Sequence, residues 1–232
     1  MPQTTHALEK QITKRVRLNY LLHVPDSASE NPAQKWPLIL FLHGAGERGD
    51  DPDMVRAHGL PKILDTQPDF PFIVVSPQCP ANTHWGHHLD ALMALLDEVQ
   101  TTYPVDADRV YLTGLSMGGM GTWALAAAYP DRFAAIAPVC GSRAWFIGDP
   151  AQICVLKDVP VWAFHGALDL IVPLADAVPL VVALRDCGGD VRLTVYEDVG
   201  HDSWNRAYAT PELYDWFLSH RLRDASRRLL LD

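Results

Sequence analysis

Apolar positions in this chain fall into two patterns that take turns along it. The first is the short unbroken run: Leu38-Ile39-Leu40-Phe41-Leu42, Phe72-Ile73-Val74-Val75-Ser76, Phe133 to Val139, and Val161-Trp162-Ala163-Phe164-His165. Strands of a parallel sheet covered on both faces look like this, because neither side of the pleat meets water. Arg109-Val110-Tyr111-Leu112-Thr113 shares the β-branched and aromatic character. Arg15 to Pro25 and Val191 to Tyr196 alternate polar and apolar, as half-buried strands do.

The second pattern has helical spacing. Leu89, Leu92, Met93, Leu96 and Val99 form one apolar stripe. Met120 to Ala128 is rich in helix formers. Leu174 to Arg185 reads as a helix stopped at Cys187-Gly188-Gly189. Pro211 to Leu222 places Leu213, Trp216, Phe217 and His220 on one side. Part of Pro52 to Leu64 is expected to be helical, interrupted at Gly59-Leu60-Pro61. Asp26 to Pro37, polar and with two prolines, reads as a loop. Strands that alternate with helices predict an α/β fold, with a mostly parallel central sheet and helices on both faces. With no repeat, low-complexity tract or linker, residues 1–232 read as a single domain.

In such sheets the site lies at the carboxyl ends of the strands. One strand end stands out: Thr113-Gly114-Leu115-Ser116-Met117-Gly118-Gly119, between the Arg109 strand and the Met120 helix. Strand, tight turn with serine, then helix is the context of a nucleophile elbow. The serine must sit on a sharp, strained turn, so its neighbours cannot be bulky. The helix behind it turns N–H groups and a positive dipole end toward the reacting oxygen.

A serine hydroxyl needs a base, and the base needs a carboxylate to orient it. After an elbow the chain order is serine, acid, histidine. His201, directly after the Val191 strand, is favoured as base over His220, which falls within the last helix. Asp169, after the Val161 strand, is favoured as acid over Asp149, Asp176, Asp198 and Asp202. Donors for a developing oxyanion are expected from the backbone N–H groups of Met117 and Ala45, the latter in the Gly-rich loop His43 to Gly49. His43 then shapes the loop, and Glu47 and Arg48 are expected to hold it as an ion pair. Trp85, Trp145, Phe146 and Trp204 are candidates to line a substrate pocket.

Net charge is −9, which disfavours nucleic acid or an anionic membrane as partner. Arg221, Arg223, Arg227 and Arg228 read as the solvated end of the last helix. The four cysteines show neither C-x-x-C nor zinc-ligand spacing, so free thiols in a reducing compartment are expected. With no apolar leader and no run of ~20 apolar residues, the expectation is a cytoplasmic protein without a membrane span. His84, His87 and His88 invite a metal, but lack a completing ligand at a usual spacing. No metal and no cofactor are expected.

The His43-Gly44-Ala45-Gly46-Glu47-Arg48-Gly49 loop, the Gly114 to Gly119 elbow, His165-Gly166-x-x-Asp169 and Gly200-His201-Asp202-Ser203-Trp204 together resemble the α/β-hydrolase superfamily. The nearest likeness is to its phospholipase/carboxylesterase and dienelactone-hydrolase-like branch, which also holds chains labelled predicted peptidases. The resemblance runs from about Val16 to Leu222. It implies an α/β-hydrolase fold with Ser116 as nucleophile, Asp169 as acid, His201 as base, and Ala45 and Met117 as oxyanion donors. Related dienelactone hydrolases use a cysteine nucleophile; serine here argues against that reaction. The resemblance implies a serine carboxylesterase acting on a small-molecule ester. A peptidase or acyl-peptide hydrolase with the same triad comes second, and a non-catalytic binding protein last. The usual lid position, about Gly141 to Pro160, is short for a multi-helix cap. A minimal lid implies short acyl chains, since only an enclosing site gains from each added CH₂.

Overall fold

The structure is a computed structural model and describes residues 3–11, 13–31, 33–142 and 150–222. Its strands are β1 (Tyr20–His23), β2 (Trp36–Leu42), β3 (Ile73–Pro77), β4 (Val105–Leu115), β5 (Ala135–Val139), β6 (Val161–Gly166) and β7 (Val191–Tyr196). They form one seven-stranded sheet in the order β1-β3-β2-β4-β5-β6-β7. Only β1 runs antiparallel, on the edge beside β3; the other pairs are parallel. The helices are α1 (Ser27–Glu30), α2 (Gly59–Leu64), α3 (Leu89–Thr102), α4 (Met117–Ala128), α5 (Leu174–Asp186), α6 (Trp204–Tyr208) and α7 (Pro211–Leu218).

The unbroken apolar runs are explained by two cores. On β2, Leu38, Leu40 and Leu42 face one way, into a core that they share with Leu92, Leu96 and Val99 of α3, Trp123 of α4, and Leu180 and Leu184 of α5. Ile39 and Phe41 face the other way, toward Leu60 of α2, Tyr208 of α6, and Leu213 and Phe217 of α7. Period-two alternation thus feeds both layers, and every β2 residue is buried.

Several boundaries differ from expectation, each for a local reason. β1 is four residues, not eleven, because only Tyr20 to His23 find partners on β3. The expected Asp26–Pro37 loop contains α1, and β2 starts inside it at Trp36. β4 begins four residues before Arg109. Its polar start, Asp106 to Asp108, hides the strand in a hydropathy reading. Asp106 is satisfied there by the Arg109 side chain at 2.7 Å and the Asp108 N–H at 3.1 Å. The Pro52–Leu64 helix divides into a 3-10 turn, Pro52–Ala57, and α2, with extended His58 between them and Gly59, the first residue of α2, at φ +66°. α7 stops at Leu218, where the Ser219 and His220 N–H groups fold back onto helix carbonyls.

The cysteine expectation is corrected. Cys154 and Cys187 form a disulfide that ties the 3-10 turn Pro150–Leu156 to the end of α5, leaving only Cys79 and Cys140 as buried free thiols. Thirty-three residues of separation carry no spacing signature; the fold brings the pair together. The argument for a reducing compartment fails with it. No described helix is long and apolar enough to cross a membrane.

Candidate active site

β4 ends at Leu115 and α4 begins at Met117, so Ser116 alone makes the turn, with φ 54° and ψ −117°. A non-glycine residue held there is strained, and such strain concentrates at functional sites. Two carbonyl and thiol partners hold it: the Ser116 N–H donates to Val139 O at 3.0 Å and points at Cys140 Sγ at 3.2 Å. The flanking glycines answer to backbone proximity. A Cβ on Gly118 would lie 1.9 Å from Leu42 O, and one on Gly114 would lie 2.5 Å from Gly118 O. Neither Gly114 nor Gly118 could carry a side chain where the start of α4 crosses the ends of β2 and β4.

The loops after β6 and β7 bring Asp169 and His201 to this turn. Ser116 Oγ–H donates to His201 Nε2 at 2.9 Å, and His201 Nδ1–H donates to Asp169 Oδ2 at 2.7 Å. The Asp169 side chain is fully buried, while that of His201 is 20% exposed. Asp169 Oδ1 accepts the N–H groups of Ile171 and Val172, both at 2.9 Å. His165 lies 3.4 Å from Asp169 Oδ2. Burial holds its imidazole below the ordinary range, and its Nε2–H donates to Val172 O at 2.8 Å. A neutral His165 leaves the carboxylate's charge facing His201.

The rival acids sit elsewhere. Asp198 forms a two-pronged pair with Arg206, both contacts 2.7 Å, and Asp202 accepts from Asn205. Asp176 is in the first turn of α5, and Asp149 lies outside the described residues. His220 lies just past α7, its ring against Trp216.

The Gly-rich loop passes beside Ser116: a Cβ on Gly44 would lie 3.7 Å from that of Ser116. Ala45 opens a 3-10 turn, Ala45–Glu47. Neither the Ala45 nor the Met117 N–H has a hydrogen-bond acceptor among the described residues. His43 is buried. Its Nε2 accepts the Cys79 N–H at 2.9 Å and its Nδ1–H reaches Gly44 O at 2.6 Å. Glu47 and Arg48 both hold the loop, but not as the expected pair. Glu47 is buried against His43 at 3.5 Å and His58 at 3.7 Å. Burial opposes its charge, yet the hydrogen bond and charge of His43, with His58, outweigh burial and keep its carboxyl below the ordinary range. Arg48 instead donates to Ala45 O at 2.8 Å and Thr83 O at 3.0 Å, fixing the Ala45 carbonyl from outside.

Of the four aromatic candidates, Trp85 is corrected: it is 1% exposed, and its indole N–H donates to His43 O at 3.0 Å, so it supports the loop from beneath. Trp145 and Phe146 lie outside the described residues. Trp204 stands at the site, its ring edge-on to His201 at 5.4 Å and near His58 at 5.6 Å. Leu168, Leu170 and Ile171 on the acid loop project outward, Leu170 90% exposed. The His84 and His87 rings lie 3.8 Å apart and tilted, while His88 Nε2 is 2.8 Å from Thr83 Oγ1. Among the described residues no three His, Cys, Asp or Glu side chains converge as metal ligands would.

Two contributors escape a sequence reading. Cys140 reaches Ser116 only because its own backbone takes φ 38°. His58 follows no strand, and its approach to Glu47 depends on the break at Gly59. Neither leaves a motif.

A parallel sheet with one antiparallel edge, a strained serine after its central strand, and an aspartate and a histidine from the loops after β6 and β7 define the α/β-hydrolase class. A family model described as phospholipase/carboxylesterase matches residues 85–210, a stretch that takes in Ser116, Asp169 and His201. The chain belongs to this family, a family of carboxylesterase-type hydrolases. It is 29% identical over 171 residues to a poly(3-hydroxyoctanoate) depolymerase of Pseudomonas fluorescens, covering 61% of this chain and 59% of that protein. It is 33% identical over 153 residues to feruloyl esterase B of Neurospora crassa, covering 57% of this chain and 49% of that protein. A solved thermostable esterase superposes with a TM-score of 0.75 at 34% identity, covering 89% of this chain and 60% of the other. The chain therefore spans about half to three-fifths of the length of these relatives.

Proposed function

We propose that this protein is a serine carboxylesterase that cleaves small esters of short acyl chains through an acyl-enzyme on Ser116. The observation that carries the reading is the unbroken line from Ser116 Oγ through both nitrogens of His201 to Asp169, with contacts of 2.9 and 2.7 Å. In the proposed reaction Ser116 Oγ attacks the ester carbonyl while its proton passes to His201 Nε2. The imidazolium so formed is stabilised by Asp169. The tetrahedral oxyanion takes the N–H groups of Ala45 and Met117, which have no other acceptor among the described residues. Collapse expels the alcohol, which takes the proton from His201. Water then repeats the sequence on the acyl-enzyme and releases the acid and free Ser116.

The short-chain preference rests on how little the described residues enclose the site. The described part of Gly141 to Pro160 contributes one 3-10 turn, Pro150–Leu156, and the acid loop turns its apolar side chains outward. An acyl chain left in water gains none of the ~0.8 kcal/mol per buried CH₂ that an enclosing site supplies. We read residues 1–232 as a single domain, with Ser116, Asp169 and His201 all within it.

The test is a panel of p-nitrophenyl esters. kcat/KM for the acetate or butyrate should exceed that for the palmitate, below its micellar concentration, by at least about tenfold, equivalent to ~1.4 kcal/mol. A preference for C12 or longer chains would overturn the short-chain reading. Faster turnover of acyl-peptide amides than of esters would replace it with the peptidase.

A further inference from the structure

The 3-10 turn Ala45–Glu47 is held from several sides. Arg48 Nε donates to the Ala45 carbonyl at 2.8 Å. The buried Gln78 donates through Nε2 to the carbonyls of Glu47 and Asp51, both at 2.8 Å. The Glu47 side chain lies between two imidazoles: His43 Nδ1 is 3.5 Å from Oε2, and His58 Nε2, just before α2, is 3.7 Å from Oε1. Burial opposes the carboxylate's charge, and the two imidazoles outweigh it.

The Gly-rich loop and the start of α2 both bear on the residue before the nucleophile. A Cβ on Gly44 would lie 2.9 Å from Leu115 Cδ1, and one on Gly59 would lie 2.9 Å from Leu115 Cδ2. Leu115 thus sits with one methyl against each glycine, and Glu47 meets His58 where the two segments adjoin. The same Cβ on Gly44 would lie 3.2 Å from Glu47 Oε2 and 3.7 Å from Ser116 Cβ, so the carboxylate is one residue's breadth from the nucleophile.

We infer that Glu47 and His58 are positioning residues of the oxyanion hole, their pairing holding the Ala45 N–H where charge develops on the substrate. The inference rests on the esterase reading above. Ala45 and Glu47 are the first and last residues of one three-residue turn, so fixing the Glu47 side chain fixes the Ala45 N–H. A turn this short has poor internal hydrogen-bond geometry and depends on outside support. An oxyanion donor acts only if it is aimed before the reaction begins, and a small displacement costs turnover more than substrate binding. Arg48 and Gln78 keep their carbonyls when the Glu47 side chain changes. The loss should therefore stay below the ~10²–10³ that follows removal of a whole donor.

Glu47→Gln, His58→Asn and the double variant test this on p-nitrophenyl acetate, with kcat referred to the Ser116 sites that a fluorophosphonate titrates. A merely structural defect removes titratable sites and leaves the rate per site unchanged. Glu47→Gln should lower kcat per site about thirtyfold and His58→Asn about tenfold, with KM within about threefold. The double variant should be within about twofold of Glu47→Gln, because His58 acts through Glu47. Affinity for benzyl trifluoromethyl ketone, whose adduct with Ser116 carries an oxyanion, should fall by the same factors as kcat. A kcat per site unchanged or raised in Glu47→Gln, losses that multiply in the double variant, or an unchanged ketone affinity would overturn the inference. If Glu47→Gln does not fold, His58→Asn at its half-exposed side chain decides alone: kcat and ketone affinity falling together support the pair, and either one unchanged overturns it. A wild type that labels at Ser116 but turns over no ester would strike the esterase reading, and the ketone affinities would then decide the positioning roles by themselves.

Discussion

Asp169 divides its carboxylate between its own loop and His201: Oδ1 accepts the Ile171 and Val172 N–H groups, and Oδ2 accepts His201 Nδ1–H at 2.7 Å. The first pair fixes the carboxylate, so the second bond can fix the imidazole. Asp169→Asn retains an oxygen for the loop and loses the acceptor that sets the histidine tautomer. kcat should fall by about 10⁴ with a nearly unchanged melting temperature. Asp198→Asn, on the surface with Arg206, should stay within about twofold. The reverse ranking in steady-state assays would remove Asp169 from its role.

Alkaline pH should unfold the protein by a route set in the core. Burial pushes the Cys140 thiol up to about 12 and raises the phenols of Tyr111, Tyr208 and Tyr214. The native state therefore keeps protons that the unfolded chain releases from roughly pH 8.5 for thiols and 10 for phenols. Their contribution to stability is fully present below those values and is lost as pH rises toward the folded ones. The melting temperature should hold to about pH 9 and then drop, with phenolate absorbance from these tyrosines appearing together with unfolding. Their ionisation well ahead of unfolding would show that the core is open to solvent.

The sheet and the serine–acid–histidine order were legible because each depends on local pattern: unbroken apolar runs mark strands covered twice, and the elbow glycines are adjacent to the residue they accommodate. Gly118 shows what a motif cannot tell. Its necessity lies in Leu42 O, 1.9 Å from an added Cβ and 76 residues away in sequence (118 − 42). Glu47 shows the opposite failure. Its neighbour Arg48 suggested an ion pair, but a turn sends adjacent side chains apart, and the carboxylate finds His43 and His58 instead. Trp85 looked like a pocket wall because aromatic residues in loops often are. Only the hydrogen bond to His43 O reveals a support. The cysteine pair is invisible for the same reason as His58: tertiary proximity leaves no spacing.

The Cys154–Cys187 bond closes a loop of 33 residues and should contribute about 3–4 kcal/mol. Reductant, or the Cys154→Ser and Cys187→Ser pair of changes, should lower the urea midpoint accordingly without altering the rate of the folded enzyme. An unchanged midpoint, with four titratable thiols in the unfolded, unreduced chain, would show that the bond does not form.

The most direct measurement is the mass of the covalent adduct with a fluorophosphonate. A nucleophile at Ser116 should give one phosphonyl group per chain, located by peptide mapping on Ser116, and Ser116→Ala should give none while retaining the wild-type melting temperature. Its esterase activity should fall by about 10⁴ or more. A full adduct on another residue, or a Ser116→Ala variant within tenfold of wild type, would contradict the assignment of Ser116 as the nucleophile.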